Sequence, residues 1–258
     1  GSSDLAGEID SDTFTANAGD RILVGMSRVS GDLWQRIRLF DPNGNMLQDE
    51  SSPVHVEITQ SLPESHTLFL PMIIGGSSSA IVEFSYEQTL DLQAATSGTY
   101  TLWISDGFDG TFTGSYNLYL QRLSDPADAT PISFSQTLSG TINQPAEMDT
   151  FTFTADAGDT ILVGQSQVSG DLWQEIRLYD SDGNLLNEES SPVHAENIYT
   201  VPATSDYTLL IADGFNGTFT GSYNLYIQRL NNPSNASPIS FGQTLPGSIN
   251  LPAEMDTY

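Results

Sequence analysis

The sequence contains no cysteine and no lysine. The first absence excludes a disulfide framework, a thiolate nucleophile and cysteine-ligated zinc or iron–sulfur centres. The second leaves seven arginines (Arg21, Arg28, Arg36, Arg38, Arg122, Arg177 and Arg229) against 33 acidic residues, for a net charge of −26 over 258 residues. Binding to nucleic-acid phosphates needs clustered basic side chains, so a nucleic-acid partner is excluded, and anionic lipid repels such a chain for the same reason. No apolar run approaches the roughly 20 residues of a membrane span. Histidine is scarce: His55, His66 and His194 are the whole set. No G-x-S-x-G elbow accompanies them, so no hydrolase nucleophile–base pair is legible. At this density carboxylates pair by chance and give no glycosidase signal. The chain is read as having no enzyme activity. What it does have is 22 Gly, 13 Pro and much Thr and Ser, the composition of short strands joined by many turns.

Self-comparison shows a tandem repeat. Residues 16–57 and 155–196 are identical at 30 of 42 positions, at an offset of 139. DGFDGTFTGSYNLYLQRL from Asp106 recurs as DGFNGTFTGSYNLYIQRL from Asp213, at an offset of 107. The first copy therefore carries a 32-residue insertion, at about 58–89. PISFSQTLSGTINQPAEMDTF from Pro131 returns as PISFGQTLPGSINLPAEMDTY from Pro238. The unit is about 107 residues long, and the domains read as 1–123, 131–230 and an opening segment of a third, 238–258. The linkers after Leu123 and Leu230 are rich in Pro, Asp, Asn and Ser.

Within a unit the apolar period is two. Tyr207, Leu209 and Ile211 alternate with Thr208, Leu210 and Ala212, and Tyr223, Leu225 and Ile227 with Asn224, Tyr226 and Gln228. One face of each strand belongs to a core and the other lies outside. Leu33, Gln35, Ile37 and Leu39 share the inner face, which puts Trp34 beside Arg36 and Arg38 on the outer one. DPNG at Asp41, DSDG at Asp180 and ADAGD at Ala155 are turns. The fold class is all-β, a tandem of jelly-roll or immunoglobulin-like β-sandwiches.

The elements run in a recognisable order: a Gly-Thr-Ile opening; E-x-D before a Phe/Thr strand (Glu147, Asp149, Phe151, Phe153); A-G-D-x-I-L-V from Ala157; D-L-x-x-x-I-R-L-Y-D-x-D-G-N from Asp171; S-D-Y-T-L-x-I from Ser205; and G-S-Y-N-L-Y from Gly221. In this each unit resembles the bacterial pre-peptidase C-terminal domain. The resemblance implies a jelly-roll-like sandwich, secretion, and a non-catalytic role in larger secreted or surface proteins. Some relatives in collagenases bind calcium and collagen. It implies calcium ligands at Glu8 and Asp10 and at Glu147 and Asp149, although Gly7 and Ala146 stand where those relatives carry a further Asp. Calcium takes six to eight oxygen ligands. A second candidate cluster is D-G-F-D/N-G, with Asp106, Asp109, Asp213 and Asn216; the alternative there is a turn in which Asp caps backbone N–H groups. No cofactor is required by either reading.

Interface candidates come from apolar and aromatic residues at places a lone sandwich does not need them. Trp34 and Trp173 suit a loop cover, a contact between units or a sugar platform. Arg36 becomes Glu175 in the second copy, which suggests that copy one packs on an acidic face of a copy two. In the insertion, Phe69, Met72 and Ile74 lie in apolar runs around GGSSS, a hairpin that extends the sheet or docks on a neighbour. Asn216 and Asn235 stand in N-x-S/T sequons and are glycosylation candidates.

Gly1 matches Gly140, so copy one has no equivalent of Pro131–Ser139, and the tail from Pro238 carries that segment. A sandwich short of one strand exposes an edge to another chain. Ile239, Phe241 and Leu245 are then the side chains that complete it by strand addition. The expectation is an extracellular or cell-surface structural protein that polymerises head to tail into a fibre, the same contacts arising within one chain if the sequence is part of a longer array. The alternative is an adhesive module that recognises glycan or another extracellular protein, with Trp34, Trp103 and Trp173 as contacts.

Overall fold

The computed structural model describes residues 1–53, 55–61, 97–231, 233 and 235–258. Most of the insertion, with His66, Phe69, Met72 and Ile74, lies outside the described residues. All regular structure among the described residues is β, and no helix there is long and apolar enough to cross a membrane. The strands are β1 (Ser2–Ser3), β2 (Ile9–Ala16), β3 (Arg21–Gly31), β4 (Gln35–Phe40), β5 (Met46–Ser52), β6 (His55–Ser61), β7 (Gly98–Asp106) and β8 (Gly114–Arg122) in the first half. The second half has β9 (Thr130–Pro131), β10 (Gln136–Ile142), β11 (Asp149–Ala155), β12 (Thr160–Gly170), β13 (Gln174–Tyr179), β14 (Leu185–Ser191), β15 (His194–Thr200), β16 (Ser205–Asp213) and β17 (Gly221–Arg229).

Sandwich 1 packs the sheet β1-β8-β3-β6 on β2-β7-β4-β5; sandwich 2 packs β10-β17-β12-β15 on β14-β13-β16-β11-β9. The period of two decides what lies between them. In sandwich 1, Ile22, Val24 and Met26 meet Ile37, Leu39, Leu102 and Ile104; in sandwich 2, Ile161 and Val163 meet Ile176, Leu178, Leu209 and Ile211. Fully burying such a side chain stabilises by about 1.5–3 kcal/mol, so the two cores carry most of the folding energy. Trp34 sits outside this core, as the alternation along Leu33–Leu39 requires, while Leu33, Gln35, Ile37 and Leu39 are fully buried. In each sandwich a core tyrosine crosses to the facing sheet: the Tyr116 hydroxyl donates to Asp10 Oδ2 at 2.6 Å and the Tyr223 hydroxyl to Asp149 Oδ2 at 2.5 Å.

A third apolar cluster joins the two sandwiches. Leu23, Tyr119 and Leu123 of sandwich 1 pack on Met148, Tyr179, Leu210 and Ala212 of sandwich 2. Asn117 Nδ2 donates to the Pro145 carbonyl at 3.0 Å across the same joint. Leu210 and Ala212 lie on the outer face of β16, yet both are buried, because a neighbouring unit covers that face. The turn at Gly183 (φ +75°) fits under Arg21 and Leu123; a Cβ there would meet their side chains at about 3 Å.

Candidate assembly interface

The two sandwiches differ along one edge. In sandwich 2, β10 pairs with β17 from Gln136↔Ile227 to Ile142↔Gly221. In sandwich 1 the matching strand is β1, paired with β8 only at Ser2↔Ser115 and Ser3↔Gly114. Gly1 extends it by one residue, exchanging bonds with Tyr116 (Gly1 N to Tyr116 O 2.9 Å; Tyr116 N to Gly1 O 3.0 Å). Antiparallel pairing alternates, so Leu118 and Leu120 also turn their N–H and C=O groups to that edge. Among the described residues no strand meets them there.

The side chains follow the backbone. Ile227 is 0% exposed, whereas Leu120, its counterpart, is 41% exposed. In sandwich 2, Ile132 is buried in the core, and Phe134 packs edge-on to Phe153 at 6.0 Å beneath the Arg229 guanidinium, 4.8 Å from the ring centroid. In sandwich 1 the corresponding space is an open pocket of about 230 Å³, lined by Phe14, Ile22, Leu120 and Arg122. Phe14 and Arg122 are the counterparts of Phe153 and Arg229.

The tail from Pro238 carries the residues that fill this space in sandwich 2. Ile239 and Phe241, counterparts of Ile132 and Phe134, are exposed, Phe241 completely so. Leu245 is partly buried. The tail's turns repeat those of residues 131–151. Ser240 N donates to Gln243 Oε1 at 3.1 Å, as Ser133 N does to Gln136 Oε1 at 3.0 Å. Asn250 N and Leu251 N donate to Glu254 Oε2, as Asn143 N and Gln144 N do to Glu147 Oε2. Ala253 has the left-handed φ of Ala146, 62° against 67°. The tail thus holds the local geometry of a sandwich's opening segment without a core behind it. Pro246 stands where Ser139 does, opposite Asn224 in the register. That place falls between bonded pairs, so its missing N–H would point outward and the edge strand tolerates proline.

The other candidate residues have local partners. Trp34 stacks on Phe108 at 5.5 Å and Trp173 on Phe215 at 5.4 Å, and a second phenylalanine continues each stack, Phe112 and Phe219. These are loop covers over their own sandwiches, and they leave Phe108 and Phe215 exposed. Arg36 forms a two-point ion pair with Asp49 of the adjacent strand, shared with Arg38. The Arg36 guanidinium holds the Asp49 carboxyl below the usual carboxylate range. Glu175 is buried, 3.1 Å from Arg177.

The acidic candidates are spent largely on hydrogen-bond donors. Glu8 Oε2 accepts from Asp4 N and Leu5 N, and Glu147 Oε2 from Asn143 N and Gln144 N. Asp10 and Asp149 accept the tyrosine hydroxyls. Asp106 accepts from the N–H groups of Phe108, Gly110 and Phe112, and Asp213 from those of Trp173, Phe215 and Phe219. Burial pushes the Asp106 carboxyl up, but its backbone N–H partners more than offset this and hold it below its ordinary value. Burial pushes the Asp149 carboxyl up, and the Tyr223 hydroxyl offsets only part of that. Asp109 Oδ1 accepts from Thr111 N and Asn216 Oδ1 from Thr218 N, the cap that a tight turn needs. Among the described residues no group of three His, Asp or Glu is placed to hold a metal ion. Asn235 accepts at Oδ1 from Gln228 Nε2 at 2.9 Å.

A pair not foreseen from sequence is Ser166 Oγ and His194 Nδ1 at 2.7 Å, with Glu196 Oε2 at 3.7 Å from His194 Nε2. It is a cross-strand contact between exposed side chains on neighbouring strands, with the carboxylate beyond hydrogen-bond length.

No protein-family model matches the sequence, and no curated protein matches it. Similar solved structures include the pre-peptidase C-terminal domain of a collagenase from Bacillus anthracis, 19% identical over 39% of this chain and 95% of that domain, with a TM-score of 0.34. They also include PliG, the periplasmic inhibitor of g-type lysozyme, from Aeromonas hydrophila (15% identity, 39% of this chain, 96% of that one, TM-score 0.30). PliG from Salmonella Typhimurium is similar at 21% identity over the same shares, with a TM-score of 0.29.

Proposed function

We propose that the chain is an extracellular structural protein whose sandwiches join head to tail into a fibre, residues 238–246 of one copy completing the β8 edge of sandwich 1 in the next. The observation that carries this is the contrast between Ile227, fully buried under its opening segment, and Leu120, which is exposed and lines an open pocket with Phe14 and Arg122. A copy of sandwich 2's opening segment lies at residues 238–246 of the same chain, with the Ser240–Gln243 turn repeating Ser133–Gln136 and with Ile239 and Phe241 exposed. Strand addition supplies main-chain bonds for affinity and pockets for specificity. The contact joins two different surfaces, so it propagates rather than closes. The net charge of −26 keeps finished strings apart. The test is electron microscopy and sedimentation of the purified chain beside one lacking residues 238–258. Filaments from the first and monomers from the second support the reading; filaments from both sink it.

A second reading is a non-catalytic module that binds glycan or another extracellular protein. It is favoured by the exposed Phe108 and Phe215, each at the end of a repeated aromatic stack. Glycan-array screening tests it, with Phe108→Ala and Phe215→Ala abolishing any hit.

A further inference from the structure

The residues of the joint between the two sandwiches recur on the opposite face of each sandwich. On the sandwich 2 side, Leu162, Tyr226 and Leu230 are the counterparts of Leu23, Tyr119 and Leu123. Leu123 is fully buried under sandwich 2, yet Leu230 is 41% exposed. On sandwich 1, the counterparts of Met148, Tyr179 and Leu210 are Ile9, Phe40 and Trp103. They meet on one outer face: Ser11 pairs with Trp103, Arg38 pairs with Trp103, and the Phe40 and Trp103 rings lie 4.6 Å apart. Ile9 is 50% exposed and Trp103 39%. A Cβ at Gly44 would meet nothing within 4 Å, whereas one at its counterpart Gly183 would meet Leu123 and Arg21 at about 3 Å.

The Tyr226 face is not bare. Residues 252–257 lie across it: Asn224 Nδ2 donates to the Pro252 carbonyl at 3.1 Å, the Tyr226 hydroxyl to the Met255 carbonyl at 3.1 Å, and Gln228 Nε2 to Thr257 Oγ1 at 2.8 Å. The first of these repeats the internal joint, where Asn117 Nδ2 bonds the Pro145 carbonyl; Tyr119 there contacts Thr150, the counterpart of Thr257. Residues 247–258 align with residues 1–12, so Pro252, Met255 and Thr257 occupy the places of Ala6, Ile9 and Ser11 of a sandwich 1. The seat is the same, but the tail offers no counterpart of Phe40, Trp103 or the Gly44 turn, and Leu230 stays half covered.

We infer that the Ile9–Phe40–Trp103 face of a second copy docks on Leu162, Tyr226 and Leu230, and that residues 247–258 are a self-cap which this copy displaces. The inference rests on the strand-donation reading and deepens it. Residues 238–246 stay and are donated; residues 1–12 of the incoming copy take the place of 247–258. The incoming face wins because it buries two aromatic rings that the cap does not possess. The cap slows the first contact, since its hydrogen bonds to Asn224, Tyr226 and Gln228 must open first.

The test compares assembly kinetics, by light scattering and pelleting, of the full chain with a chain ending at Pro246, circular dichroism confirming the β fold in each. The shortened chain assembles at least tenfold faster at equal concentration, and a synthetic peptide of residues 247–258 slows it again. Trp103→Glu and Ile9→Glu, both at exposed positions, raise the critical concentration of both chains at least tenfold. Equal rates for the two chains, with filaments from both, overturn the cap and leave strand donation standing. Filaments whose critical concentration ignores both face substitutions overturn the docking face. No filaments from either chain overturn strand donation and this inference with it.

Discussion

Replacing Phe241 by alanine should weaken end-to-end assembly without touching the isolated chain. Phe241 is fully solvent-exposed, so the monomer loses no packing. When bound, its environment is that of Phe134, an edge-on ring at 6.0 Å and a guanidinium 4.8 Å from the centroid. Moving a phenylalanine from water into such a place is worth about 1.5–3 kcal/mol. The ring pair adds about 0.5–1.5 kcal/mol, and the cation over the ring about 0.5–1 kcal/mol. Because Phe134 is only partly buried, the lower parts of these ranges apply, giving about 3 kcal/mol. That is about a hundredfold in the association constant. The assay is the critical concentration for pelleting, which rises about a hundredfold for Phe241→Ala and by less for Phe241→Leu. Phe108→Ala, at another exposed phenylalanine but outside the pocket, leaves it unchanged. An unchanged critical concentration for Phe241→Ala, with an unchanged monomer melting curve, would refute the reasoning.

Further expectations concern the sandwiches themselves. Gln165 is fully buried with neither amide atom hydrogen-bonded among the described residues, and Met26 fills the matching place in sandwich 1. Gln165→Met therefore stabilises sandwich 2 by about 1–2 kcal/mol in urea unfolding, through relief of an unmet polar group at nearly constant volume. The Asp149 carboxyl is raised by burial, so its contribution to stability falls as pH rises from its unfolded value through its folded one. Asp149→Asn keeps an acceptor for the Tyr223 hydroxyl, and it should melt higher than the native chain at pH 7 but not at pH 3. For Asp49 the sign is opposite: its pairing with Arg36 stabilises above the unfolded carboxylate pKa and is lost as pH falls through the depressed folded value. Arg36→Gln should flatten that acid limb of the melting-temperature profile. Asp213→Ala leaves three backbone N–H groups without their acceptor and costs about 1–3 kcal/mol, equally in calcium and in a chelator.

The strands and their inward residues were legible because alternation is a local property. Leu33 to Leu39 point where the pattern puts them, and the repeat marks each strand twice. The outer residues were not. Leu210 and Tyr226 read as solvent-facing by period, yet both are buried, because a neighbouring unit or the tail covers them. Ile9, Phe40 and Trp103 come from three separate strands, and only the sheet order β2-β7-β4 brings them onto one face. The carboxylates of D-G-F-D-G were ambiguous in sequence because a metal ligand and a backbone cap use the same side chain. The structure fills their oxygens with the N–H groups of their own loop. Trp34 needed the loop position of Phe108, 74 residues away, to show what covers it.

Amide hydrogen exchange at Leu118 and Leu120 tests the central claim most directly. Their N–H groups face the edge of β8 at which no described strand pairs, while the matching positions on β17, Leu225 and Ile227, are paired by β10. The measurement uses the dilute full chain with and without a synthetic peptide of residues 238–246. Strand donation predicts that the peptide slows exchange at Leu118 and Leu120 and leaves Leu225 and Ile227 unaffected. Unchanged exchange at Leu118 and Leu120 under saturating peptide would contradict it.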